Sequence, residues 1–174
     1  MNNTTKIKFF VELIKPSHYD DDGYVIQWRK SWIPSNTLAC INALTQDAAD
    51  QNALGDDVEF VINAYDEMNI VIPVTDIIRR FKNGGEHGIV LFVGVQSNQF
   101  PRTMDIVRQF RKENIQVAIG GFHVSGSISM LPQLPEELKE ATEAGIALFA
   151  GEAEEGRLVE VFNDAYQEKL KPIY

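Results

Sequence analysis

Hydrophobic positions gather in five short runs: IKFFVELI (7–14), VEFVINAY (58–65), GIVLFVGV (88–95), IQVAIGG (115–121) and IALFAGE (146–152). The last three are nearly unbroken Val, Ile, Leu, Phe and Ala, as in parallel strands buried on both faces; strands with one wet face alternate instead. Between the runs, apolar residues recur at helical spacing. Ser35 or Asn36 caps a helix over 37–52 through Leu38, Ile41, Leu44 and Ala48, and Thr75 caps one over 76–83 that ends at Gly84-Gly85. Met104, Val107, Phe110 and Arg111 follow Pro101, Pro135 opens PEELKEATEAG, and Arg157 to Gln167 carries Leu158, Val159, Val161 and Phe162. This alternation, with right-handed crossovers, predicts the α/β class: a doubly wound, flavodoxin-like (Rossmann-like) five-stranded parallel sheet of order 2-1-3-4-5.

Two stretches break the pattern. Residues 15–34, KPSHYDDDGYVIQWRKSWIP, are longer than an ordinary loop and follow the first strand. They carry Tyr19, Tyr24, Trp28 and Trp32, which suit a lid, a docking surface or a loop pinned by its own aromatics. Residues 122–134, with their SGSIS composition, read as a second irregular stretch at the same sheet edge.

Composition narrows the picture. The 174 residues, 44% hydrophobic and 24% charged, make one domain with enough apolar surface to cover both sheet faces. A net charge of -9 with no basic stripe repels phosphate backbones and anionic lipid, so neither nucleic acid nor a membrane surface is an expected partner. No apolar run reaches the ~18 residues of a membrane span, and the first residues lack a secretory signal, which makes the cytoplasm the expected compartment.

In a doubly wound sheet, ligands sit beyond the C-terminal strand ends. Here those ends read GVQSNQFP (94–101), GGFHVSG (120–126) and GEAEEG (151–156). Glycine lets a ligand lie against backbone, and it also simply makes tight turns; three glycine-bearing ends in succession favour ligand binding. There is no GxGxxG after the first strand and no GxxxxGK[ST], so dinucleotide and triphosphate chemistry lack their usual machinery. A phosphorylated receiver domain would want an aspartate after the third strand and a lysine after the fifth, and neither is present. Asp20, Asp21 and Asp22 read as a solvated turn rather than a metal site. His18, His87 and His123 have no paired ligand spacing, so no metal ligand is assigned. Of the three, His123 lies beside the glycine pair, where bridging loop backbone is its expected role. Cys40, on a helix of small and apolar residues, is expected to be buried packing.

VAIGGFHVSG, then LFAGEAEE, with GVQSNQFPRTMDIVRQFRKENI before them, resembles the N-terminal cobalamin (B12)-binding domain of B12-dependent radical SAM proteins. The likeness spans 6–167 by topology, and its sharp motifs are GGFH and GEAEE. The resemblance implies a corrin ring held over the strand ends, with the nucleotide tail in a groove beside strands three to five. Carried over by motif, Gly120, Gly121 and His123 line that groove, Gly151 and Glu152 close its far side, and Gln96, Ser97 and Asn98 contact the tail. Where related domains carry DxHxxG, this chain reads KPSHYDDDG, which implies a corrinoid without a protein axial histidine. With one cysteine, the chain has no CxxxCxxC for a 4Fe-4S cluster. The resemblance therefore implies a non-catalytic N-terminal piece of a longer enzyme, a methyltransferase for example. S-adenosylmethionine and the cluster would belong to a C-terminal radical SAM domain in cis. The alternative is a degenerate domain that keeps the fold as an interaction module.

Overall fold

The computed structural model describes residues 6–28, 34–85 and 87–174. Five strands, β1 (Ile7–Lys15), β2 (Val58–Asp66), β3 (Gly88–Phe92), β4 (Val117–Gly120) and β5 (Ala147–Phe149), form one all-parallel sheet. Their order is β2-β1-β3-β4-β5, the flavodoxin-like order expected from the sequence. Helices α1 (Asn36–Asp50), α2 (Val74–Gly84), α3 (Phe100–Lys112), α4 (Phe122–Met130), α5 (Glu136–Glu143) and α6 (Arg157–Tyr166) cover its two faces.

The two-residue period of a strand explains the two cores. On β1, Phe9, Val11 and Leu13 point into the layer made by α1 and α6, whereas Phe10 and Ile14 point into the layer made by α2, α3, α4 and α5. Burying one such side chain contributes about 2 kcal/mol, so a strand apolar on both faces is stable only when both faces are covered. In the first layer, Phe9 sits edge-on to Phe60, Phe162 and Tyr166 with ring centroids 5.4–6.2 Å apart, which fixes the second half of α6 to the sheet.

Three strands are shorter than the apolar runs that predict them. β3 stops at Phe92 rather than residue 95, β4 covers 117–120 rather than 115–121, and β5 covers 147–149 rather than 146–152. Val95, Ile115 and Ile146 are buried all the same, because apolarity encodes burial and the strand ladder ends where the chain turns. The stretch 122–134 departs further: α4 occupies most of it. Its Ser-Gly composition hides a helix that tertiary contacts hold, with Val124 buried and the His123 N–H donating to the Val95 carbonyl at 3.0 Å. The edge of β5 is also covered. Ile173 pairs in parallel with Leu148, and the Tyr174 ring stacks on Phe149.

Glu12 is a charged side chain in the middle of β1, fully buried on the α2 side. Its Oε1 accepts from Arg80 Nη1 at 2.5 Å and from Asn63 Nδ2 at 3.1 Å. Burial pushes its carboxyl above the ordinary value of 4.5, against the opposing pull of Arg80, the Tyr65 hydroxyl and Asn63. The folded state therefore takes up a proton before the unfolded chain does, and ionised Glu12 costs stability at neutral pH. As pH falls from neutrality toward 4.5, the protein should gain stability relative to Glu12→Gln. Urea unfolding of both proteins across that range checks this, and parallel pH profiles would refute the raised carboxyl.

Candidate functional site

A cavity of about 570 Å³ opens at the C-terminal strand ends and runs down the sheet face between α1 and α6. Its size falls within the range of small-molecule sites. It exists because of small residues at particular positions. β4 turns Ala118 and Gly120 to this face, so the floor between Leu91 on β3, Val93 just past its end, and Phe149 on β5 lacks bulk. The walls are Cys40, Ile41 and Leu44 from α1 and Leu158 and Val161 from the first half of α6. At the mouth stand Asn36, Thr37, Gly94, Gln96, Ser125, Gly151 and Glu152. The chamber is apolar within and polar at the rim, and suits a ligand with an apolar slab and a hydrogen-bonding end.

The structure brings together five of the eight residues singled out by sequence: Gln96, Gly120, Gly121, Gly151 and Glu152 all line this cavity. The other three lie apart from its walls. Ser97 and Asn98 belong to the short 3-10 turn before α3, and the Ser97 Oγ faces His123 Nδ1 at 3.1 Å. The His123 ring is buried against Phe100 at 4.5 Å, with Nε2 3.1 Å from Glu137 Oε1. Its Nδ1 therefore links α4 to the turn before α3, its backbone N–H bonds the Val95 carbonyl, and Nε2 lies beside α5 without a hydrogen-bond partner among the described residues.

The glycines separate into two kinds. Gly94, Gly121 and Gly151 have φ of 62°, 140° and 87°, so backbone geometry alone accounts for them. Gly120 has no such φ, and a methyl there would meet Phe149 Cβ at an ordinary 3.4 Å. Among the four, Gly120 is the one that no positive φ requires, and it lines the cavity.

Cys40 is exposed and forms part of the wall, contrary to its expected burial. Helical pattern places it on the sheet side of α1, where the cavity stands in place of packed neighbours. Lys15, at the end of β1, was not singled out by sequence. Its Nζ donates to the Gly94 carbonyl at 2.9 Å and to Gln99 Oε1 at 2.7 Å, holding the turn that carries Gln96 at the mouth. Burial pushes the Lys15 ammonium below its ordinary range, and Asp66 partly offsets this. A basic residue closing a strand next to a glycine turn is the sequence signal that could have marked it.

The described part of the long loop is pinned mainly by polar contacts, with the Tyr19 ring also lying under the Arg102 guanidinium. Buried Glu67 accepts from the Ser17 N–H at 3.0 Å and from Arg102 Nε at 3.0 Å, and the Tyr19 hydroxyl donates to Asp105 at 2.7 Å. Asp20 Oδ1 accepts from the N–H groups of Asp22 and Tyr24, so the aspartate run is an Asx turn. Tyr24 and Trp28 are exposed, and Trp32 lies outside the described residues. None of the loop's described residues lines the cavity.

Fold and site together define a flavodoxin-like α/β domain with an apolar cavity at its strand ends. Comparison with known proteins gives no match: no family model, curated protein or solved structure is similar to this chain. Among the described residues, no helix is long and apolar enough to cross a membrane.

Proposed function

We propose that this domain is a cobalamin-binding module that holds a corrinoid over its strand ends, with the nucleotide tail in the cavity between α1 and α6. The observation that carries this is the small-residue floor formed by Ala118 and Gly120, where a Cβ at Gly120 is sterically admissible and yet missing. The residues suit the tail. Leu44, Leu91, Phe149, Leu158 and Val161 offer apolar surface to a planar base, and Asn36, Thr37, Gln96 and Ser125 offer hydrogen-bonding groups at the rim. When bound, a corrinoid supplies cobalt-centred methyl or electron transfer chemistry. This chain's contribution is to orient the cofactor and exclude water from its tail.

The buried and bridging position of His123 fits a corrinoid held without a protein axial histidine. Cys40 alone offers no ligand set for an iron-sulfur cluster. In this reading, the cluster and S-adenosylmethionine belong to a radical SAM domain in cis, and the whole protein works in the cytoplasm.

Hydroxocobalamin should co-elute with the protein and show a shifted visible absorbance. Gly120→Val should reduce affinity at least tenfold with little change in urea midpoint. No saturable binding by the parent protein would overturn the proposal, and full affinity in Gly120→Val would move the tail elsewhere.

A second reading, a docking module without cofactor, draws on the exposed Tyr24, Trp28 and Val71, which are 73%, 59% and 74% exposed. It expects Trp28→Ala to abolish association with a neighbouring domain while Gly120→Val leaves it intact.

A further inference from the structure

Phe122 is an aromatic ring left in water beside an apolar cavity. It is 69% exposed and lines the cavity mouth, on the same face of α4 as Ser125. Its place is set by its neighbours. Gly121 is pressed against the backbone of Gly94 and Val95, and His123 is buried and held through both its backbone and its ring. The ring lies over Gly126, one turn along α4, with Cε1 3.8 Å from where a Cβ on Gly126 would stand. One edge of the ring rests near a residue without a side chain, and most of its surface has no protein partner. Ser125, the next cavity-facing position, has its hydroxyl engaged by the Gly151 N–H at 3.0 Å. Phe122 is thus the large apolar group at the mouth that is both fixed in place and uncovered.

We propose that Phe122 is a binding platform for the flat macrocycle that projects from the cavity, fixing the orientation of a ligand whose tail lies within. The inference rests on the reading of the cavity as a tail groove, and adds a second contact zone outside it. An apolar ring face gives contact without requiring a hydrogen-bond partner, which suits a large planar surface.

The test titrates hydroxocobalamin and dicyanocobinamide, which lacks the nucleotide tail, against the parent protein, Phe122→Ala, Phe122→Trp and Met130→Ala. Met130 is 75% exposed on the same helix and does not line the cavity, so it serves as control. Phe122→Ala should weaken hydroxocobalamin binding about tenfold and lose a similar factor with dicyanocobinamide. Phe122→Trp should keep affinity, and its added indole emission should be quenched on binding; Met130→Ala should match the parent. Binding by the parent with equal affinity in Phe122→Ala would overturn this inference and leave the cavity reading standing. A loss with hydroxocobalamin but not with dicyanocobinamide would also overturn it, since Phe122 would then touch the tail and not the macrocycle. No binding of either corrinoid by the parent would overturn both.

Discussion

Gly121→Ala should destabilise the protein by about 3 kcal/mol or more, with loss of cooperative urea unfolding at moderate temperature. A methyl on Gly121 would stand 2.2 Å from Val95 N and 2.6 Å from the Gly94 carbonyl carbon. Those are backbone atoms of the neighbouring strand end, which no rotamer change moves away. The conformation adds to the cost, because φ 140° and ψ -174° lie in a region that side chains avoid. The neighbouring change, Gly120→Ala, is the internal control. Its Cβ meets Phe149 at 3.4 Å, and the unfolded chain loses entropy, so stability should stay within about 1 kcal/mol of the parent. If the two variants unfold at the same urea concentration, the close approach of Gly121 to Val95 is not a feature of the protein in solution.

The second large effect concerns binding. Ala118→Leu should lower affinity for hydroxocobalamin at least about 100-fold, a loss near 2.7 kcal/mol, while the urea midpoint holds or rises. Ala118 is 3% exposed and forms the cavity floor, so the added isopropyl group occupies space the proposed tail needs. Inserting methylenes into a filled core usually costs 1–3 kcal/mol; a cavity of about 570 Å³ removes that cost. A fall in stability above roughly 2 kcal/mol would show the floor to be closed in solution. Retained stability with full affinity would place the ligand elsewhere. The pairing of Gly121→Ala with Ala118→Leu therefore separates the scaffold of the site from its capacity to bind.

The legibility of the site varied residue by residue. Gly120, Gly121, Gly151, Glu152 and Gln96 were readable because strand ends in a doubly wound sheet converge on one edge, and their runs end in glycine. Ser97 and His123 follow the same strand ends yet face each other on the α3–α5 side, Asn98 is exposed outside the cavity, and the side of the sheet a post-strand residue faces is not written in its local pattern. Phe122 and Lys15 escaped notice because their meaning is positional. One is an aromatic with no neighbour on its outer face, and the other is a lysine held between Gly94 and Gln99.

Alternating apolar runs and amphipathic segments determined the class, the five strands and their 2-1-3-4-5 order, because burial on both faces and right-handed crossovers leave few alternatives. Tertiary structure alone decided where the strands stop, that 122–130 is a helix, and that Cys40 faces open space. It also decided which of the glycines answers to backbone geometry and which to a cavity. Those outcomes depend on how closely segments far apart in sequence approach: a methyl on Gly121 would stand 2.2 Å from Val95 N, and one on Gly120 would stand 3.4 Å from Phe149 Cβ. Periodicity reports the face a residue prefers and carries no record of what stands opposite it.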